Sequence, residues 1–319
     1  MPQKKHYAKC RNGRRNNSFG DYLPQSFFGK KIYSFFEILS DREVSNYIQK
    51  TLLNVFTHLG LDNKTAKESI SECLSIAANS KDCEEYESLA HLLLEQNGIV
   101  GAVPKKLFGR ADKIYSQIKE FIIPGRVLDL GCGDGEVGKI CSLKNEVVLA
   151  DIYKNNNIPK TGLRFRIFGQ GEKIPFNDGE FSNVLLLTVL HHSDNPLQVL
   201  KEAVRVVKRG GRIIVIESVY GVNSKELGGG TMKAAKNYCA LSLEQQRKAG
   251  IFFDHFYNRV IHYSAKSKTK VNVPFNFNTP PEWKKLFEEN DLVQEKIIHL
   301  GIDQPIVPEY HTLHVLQKV

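Results

Sequence analysis

The sequence predicts an α/β fold: a mostly parallel sheet of seven strands with helices on both faces. Three observations carry this. From about Gly109 onward, short apolar runs alternate with helical patterns, as in a parallel sheet covered on both sides. The first run, "RVLDL", breaks into a turn with glycines at every second position, Gly131, Gly133 and Gly135. The last two runs, "LVQEKIIHL" and "TLHVLQK", close the chain as an antiparallel pair at one end of the sheet.

The elements follow in order. Residues 1–31 carry eight Lys and Arg against the single acid Asp21 and read as a basic, disordered tail. Residues 32–109 read as a helical cap or dimerisation region. Ser40 and Glu43 stand in capping-box spacing, and Val44, Tyr47, Ile48, Leu52, Val55, Phe56 and Leu59 share one helical face before Gly60. Asp62 caps a second helix carrying Ile70, Cys73, Leu74 and Ala77. A third runs from Cys83 to Gln96, with Tyr86, Leu89, Ala90 and Leu93 inward, and "GIVGAVPKKLFGR" reads as a connector. Residues 110–319 read as the domain that carries the chemistry. A helix from Ala111 to Phe121 leads to "RVLDL", a helix over Glu136 to Ser142, then "EVVLAD" and "LRFRIF". Next come the strand "FSNVLLL", the helix "NPLQVLKEAVRVVKRGG" and the strand "RIIVIES". Residues 218–279 interrupt the alternation as a polar, aromatic-rich insert, and "TPPEWKKLFEEN" resumes it as a helix with proline near its start.

Composition narrows the function classes. No apolar run among the 319 residues approaches the roughly 20 needed to cross a bilayer. The N-terminus is basic without an apolar stretch and is not expected to act as a secretory signal. Cys10, Cys73, Cys83, Cys132, Cys141 and Cys239 show neither CxxC nor zinc-site spacing, so reduced thiols and a cytoplasmic chain are expected. The net charge of +9 lies mostly in the tail, which leaves about +2 for the rest. The tail can hold RNA, DNA or an anionic surface weakly, but the folded body is not marked as nucleic-acid binding.

The glycine turn raises a chemical question. Its spacing is GxGxG, and Glu136 stands where the third glycine of a dinucleotide loop would fall. Asp129, Asp134 and Glu136 around it repel a diphosphate and favour a ligand with positive charge. Asp151 ends the next strand, where a carboxylate accepts hydrogen bonds from ribose hydroxyls. A ribose, a cationic part and no required phosphate describe S-adenosylmethionine (SAM).

At this point the chain resembles the class I SAM-dependent methyltransferases, in the type 11 branch that includes ubiquinone and menaquinone biosynthesis enzymes. Four ordered segments carry the resemblance: "VLDLGCGDGEVG", "LADI", "GEKIPFNDGEFSNVLLLTVLHH" and "EAVRVVKRGGRIIVIE". It covers about residues 110–217, with looser agreement to 319, and implies a Rossmann-like domain that binds SAM. By the same resemblance, Asp129 and Gly131 orient the methionine amino group and Gly133 lines the amino-acid moiety. Asp151 binds the ribose and Ile152 lies against the adenine. Cys132, Gly171, Glu172 and Leu187 complete the cofactor lining. The chain departs from the family where an Asp-Ala pair usually holds the adenine amino group; here Gln170-Gly171 stands, and the Gln170 amide oxygen can substitute. Ser182 replaces a frequent aspartate at a position that is often structural.

Methyl transfer needs alignment and, for some acceptors, a base. His191 and His192 follow the fourth strand at the ligand-binding edge of the sheet, as site lining or as a catalytic base. The alternative is that one of them packs beneath the next helix, whose N-cap is Asp194 or Asn195. In the insert, "FFDHFYNRVIHY" places Asp254, His255, Tyr257, His262 and Tyr263 as a candidate substrate wall, with His255 and His262 one heptad apart. A metal site there lacks a third ligand, so no metal is expected. The leading expectation is methylation of a small or lipid-like metabolite at O, N or C. An RNA or protein methyltransferase using the basic tail, and a non-catalytic assembly factor that keeps the fold, remain open. A second copy of the chain docked through the N-terminal helices is a further expected partner.

Overall fold

Seven strands form one sheet in the order β3-β2-β1-β4-β5-β7-β6 in the computed structural model, which describes residues 25–226, 232–266 and 270–319. They are β1 (Val127–Leu130), β2 (Val147–Asp151), β3 (Arg164–Ile167), β4 (Phe181–Leu187), β5 (Val207–Ser218), β6 (Leu292–Gln304) and β7 (Val307–Lys318). The first five pair in parallel, and β7 inserts antiparallel between β5 and β6. The order reverses between β1 and β4, so their carboxyl ends flank a crevice, the usual ligand position in an open α/β sheet.

Strand periodicity divides the core between the two faces. Val127, Val147, Leu149 and Leu185 pack on one side with Ile118 and Cys141. Their neighbours Leu128, Val148, Ala150, Val184 and Leu186 pack on the other, in one continuous core with Ile48, Phe56, Phe252 and Trp283. The N-terminal helices are α1 (Phe35–Ser40), α2 (Arg42–His58), α3 (Asn63–Asn79), α4 (Cys83–Gln96), α5 (Ile99–Leu107) and α6 (Arg110–Ile118). Within the sheet region run α7 (Glu136–Cys141), α8 (Ile158–Thr161) and α9 (Pro196–Val206). The insert holds α10 (Met232–Cys239) and α11 (Leu243–His255), and α12 (Pro280–Glu288) precedes β6. No helix among the described residues is long and apolar enough to cross a membrane.

Two of the resembling segments prove to be one physical unit. Glu202 on α9 accepts the Ile174 N–H at 2.8 Å, and Arg205 donates to the Ile174 and Phe176 carbonyls at 3.0 and 2.8 Å. The acid and the arginine of "EAVRVV" thereby hold "KIPF" against the sheet.

Several elements differ from expectation. The α2 N-cap is Asp41, which accepts from the Val44 N–H; the capping box lies earlier, at Ser34 and Glu37, and starts the short α1. The expected connector is helix α5, with Pro104 inside it, because burying Ile99 and Val103 outweighs the proline's missing N–H. On α4, Leu89 is 45% exposed while Glu87 is fully buried. Arg259 donates to Glu87 at 2.9 Å and His255 lies 3.1 Å from it, so a pairing from the insert supplies what the helix pattern could not show. Strand β5 starts at Val207 rather than Arg212, with a register shift where Gly210 has φ +71°. Residues 25–31, read as the end of the basic tail, pack on the body: the Phe27 N–H bonds the Asn276 side chain at 2.7 Å, and Lys30 reaches Asn278 and Glu282 at 2.6 Å each. Residues 1–24 lie outside the described residues, and the expected tail contacts with nucleic acid fall there.

Candidate active site

The glycine turn sits between β1 and α7 at the crevice. Gly131 has φ +78°, and a Cβ there would stand 2.6 Å from a Val189 methyl, so the turn packs directly on the segment after β4. Gly133 has φ +55°, and a Cβ there would meet nothing within 4 Å. Its face is open, and a ligand can approach the bare backbone.

Two carboxylates stand near the turn. Asp151 at the end of β2 accepts the Gly133 N–H at 2.9 Å and the Tyr153 N–H at 3.2 Å. Burial still raises its carboxyl above the usual range. Asp129 in β1 is 2% exposed. Burial, with Asp151 and Asp134 adding to it, pushes its carboxyl up to about 7. A cation beside Asp129 would reverse this. Beyond Asp151, Ile152 and Tyr153 are apolar shelves, 48% and 38% exposed.

The other expected cofactor residues fall around the same crevice with different tasks. Gln170 donates its amide N–H to Asp194 at 2.5 Å, which turns its carbonyl oxygen free of that bond. Gly171 has φ +76°, and Leu187 is half-buried at the end of β4. Glu172 folds back to accept the Gly169 N–H at 3.0 Å, so its carboxylate closes a turn. The Cys132 thiol is pushed up by burial and by Asp129 and Asp151, and stays protonated.

His191 and His192 lie in a 3-10 turn directly after β4. Glu217, fully buried at the end of β5, organises this turn. It accepts the backbone N–H groups of Val189, Leu190 and His191 at 3.1, 2.7 and 3.3 Å, and pairs with His191 Nδ1 at 2.5 Å. Burial alone would lower the His191 ring, but Glu217, then Asp254 and Glu309, raise it to about 9. His192 differs. Its Nδ1 meets the Asn272 carbonyl at 2.8 Å, and its side chain keeps 22% exposure. Burial and the charge of His191 lower its ring to about 3. Asn272 returns a bond to the His192 carbonyl at 2.8 Å, and Asn276 donates to the Ser193 carbonyl at 2.7 Å. The N-cap of α9 is Asn195, whose side chain accepts the Gln198 N–H.

Four of the five residues expected as a substrate wall, His255, Tyr257, His262 and Tyr263, are not brought to this turn. His255 is buried against Glu87 and stacked on Tyr86, and the Tyr263 hydroxyl donates to Glu84 at 2.7 Å. Tyr257 lines a small apolar cavity with Leu52, Val55 and Val103, and His262 stands edge-on to it with centroids 4.8 Å apart. All four thus face the N-terminal helices. The heptad between His255 and His262 fails because residues 256–261 form a wider π-turn. The residue that does reach the crevice is Asp254, one position earlier and about 100° around the helix. It is fully buried, and its Oδ1 accepts from Asn258 at 2.8 Å. Asp254 was expected in the wall but not beside the histidine turn, and Glu217 and the Asn272 strap were missed, because no local spacing links 191 to 217, 254 or 272. The final acid of "RIIVIE" was the one available signal.

The charge of Asp129 has a measurable consequence. Its carboxyl is raised in the protein alone, so it contributes stability at low pH that is lost as pH rises toward 7. A cationic ligand must meet the ionised form. SAM affinity is therefore expected to weaken on the order of tenfold from pH 7.5 to pH 6.0. Asp129→Asn should flatten that dependence in calorimetric titrations. A flat wild-type profile would remove the ammonium role of Asp129.

Comparison with known proteins agrees with this geometry. A family model described as a methyltransferase domain matches residues 128–215. An uncharacterized protein of Methanocaldococcus jannaschii is 31% identical over 202 residues, covering 61% of this chain and 87% of the relative. A ubiquinone/menaquinone biosynthesis C-methyltransferase of Ectopseudomonas mendocina is 35% identical over 154 residues, 43% of this chain and 57% of the relative. A 27-O-demethylrifamycin SV methyltransferase of Amycolatopsis mediterranei is 29% identical over 99 residues, 28% of this chain and 36% of the relative. The chain thus spans most of the first relative, but only about a third to somewhat over half of these two named methyltransferases.

Proposed function

The chain belongs to the class I SAM-dependent methyltransferases, and from that premise we propose that it methylates a small or lipid-like acceptor at O, N or C. The cofactor supplies the electrophile, a methyl group on a sulfonium. The observation that carries the reading is the open Gly133 face, with Asp151 tied to it and the deeply buried Asp129 two residues before the turn begins.

The residues present fit that cofactor. Asp129 is a buried carboxylate held by the Gly138 N–H and paired with no cation among the described residues, suited to the ammonium. Asp151 is held by two backbone N–H groups with lone pairs left for ribose hydroxyls. Ile152 and Tyr153 offer the adenine a shelf, and the Gln170 carbonyl offers its amino group an acceptor. In this reading His192, the partly exposed ring, stands on the acceptor side of the turn, and His191, fully buried with its Nδ1 held by Glu217, stands behind it. His191 is then a positioning residue.

A small acceptor is supported by the two named relatives, a ubiquinone/menaquinone biosynthesis C-methyltransferase and a 27-O-demethylrifamycin SV methyltransferase. The test is incubation of the full chain with methyl-labelled SAM and cell extract, followed by fractionation of the label. Label in small organic-soluble products is expected. Label confined to RNA or protein would overturn the acceptor class. SAM binding without any labelled product would favour the non-catalytic factor.

A further inference from the structure

The two histidines after β4 and the acid from the insert form a second constellation, separate from the glycine turn. One ring nitrogen each of His191 and His192 and one carboxylate oxygen of Asp254 lie within 4.8 Å of one another. His191 and Asp254 are fully buried. Among the described residues, Nε2 of His191 and Oδ2 of Asp254 meet no hydrogen-bond partner. Leaving two such atoms unsatisfied is costly. A cation that displaces the Nε2 proton of His191 to solvent and then accepts a lone pair from each atom would remove the cost.

We propose that His191, His192 and Asp254 bind a divalent transition-metal ion of the zinc class. Two imidazoles and a carboxylate are a donor set such ions accept, and three protein ligands leave a position open. An ion about 2.1 Å from each donor sets the donors roughly 3–3.5 Å apart. The side chains need only close from within 4.8 Å. The outer shell is already in place. Metal-bound histidines characteristically donate their second nitrogen to a carboxylate or a carbonyl. Here His191 Nδ1 meets Glu217 at 2.5 Å, which leaves its Nε2 for a ligand; His192 Nδ1 meets the Asn272 carbonyl at 2.8 Å and stands 3.9 Å from Asp254 Oδ1, so this ring binds an ion by turning Nε2 inward or by exchanging the carbonyl for the ion at Nδ1. Asn258 steadies the Asp254 carboxylate through Oδ1 at 2.8 Å and leaves Oδ2. Charge points the same way: Asp254 lies near the buried carboxyl groups of Glu217 and Glu309, and a dication offsets them. Entry is from the side of His192, the one partly exposed member.

The third ligand was invisible in the sequence, where His255 and His262 were the histidines paired. The site itself is independent of the cofactor assignment. Its use rests on the methyl-transfer reading: the open position would hold the acceptor's oxygen or nitrogen beside the crevice.

The test is calorimetric titration of the full chain, stripped with a chelator and without SAM, using Co²⁺ and then Zn²⁺. One ion per chain is expected with micromolar or tighter affinity. The cobalt form should show visible d–d absorption without a thiolate charge-transfer band. Asp254→Asn and His192→Ala should each weaken binding about 100-fold while circular dichroism stays unchanged. No binding at millimolar metal, a thiolate band, or unchanged affinity in a folded His192→Ala variant would each overturn the site. Metal binding without SAM binding would leave this site standing and remove the methyl-transfer reading; SAM binding without metal binding would do the reverse.

Discussion

Gly133→Val is expected to abolish SAM binding while the chain stays folded. A side chain at this position meets no protein atom within 4 Å, so it projects into the space assigned to the cofactor. The cost to the fold is the left-handed backbone, φ +55°, which a branched residue adopts at about 1–2 kcal/mol. Asp151→Ala should act through lost polar contacts instead. Hydrogen bonds to a charged group contribute about 1.5–3 kcal/mol each, so losing two ribose contacts weakens binding on the order of 100-fold or more. It also frees the Gly133 and Tyr153 N–H groups, which loosens the turn. Calorimetry with SAM, alongside thermal unfolding, separates these effects. Normal SAM affinity in either variant would mean the cofactor lies elsewhere.

Glu217→Ala is expected to produce the largest loss of stability. The carboxylate takes three backbone N–H bonds and the His191 ring, all in the protein interior. Removing one partner of a buried pair costs about 3–5 kcal/mol, which lowers Tm on the order of 10 °C in a chain of this size. The pH dependence identifies the cause. His191 is raised to about 9 against an ordinary 6.5, so its pairing stabilises the fold fully below pH 6.5. That contribution is lost as pH rises through about 9. The stability gap between wild type and Glu217→Gln should therefore narrow between pH 6.5 and 9 in urea unfolding. A gap constant across this range would mean that Glu217 acts through the backbone bonds alone.

Local pattern was enough for the strands and for the glycine turn after β1. "RVLDL", "EVVLAD" and "FSNVLLL" are apolar on both faces, and burial on both faces is what a central parallel strand requires. The helices were less legible. Propensity marked residues 99–107 as a connector, and tertiary burial of Ile99 and Val103 made them a helix. Periodicity turned Leu89 inward on α4, but the pairing of Glu87 with Arg259 set the helix face.

What the sequence by itself determined is the chemistry held within short spans: the bare Gly133 backbone, Asp129 four residues before it, and Asp151 at the next strand end. Backbone geometry in a β-turn-α unit is local, so residue spacing is a sufficient guide there. Only the tertiary structure decided how the histidine turn is equipped. Glu217 arrives from β5, Asp254 from α11 and the Asn272 carbonyl from the strap beyond it. Those contacts join residues 26 to 80 positions apart. Long-range partners are selected by the packing of the whole core, which no local spacing encodes.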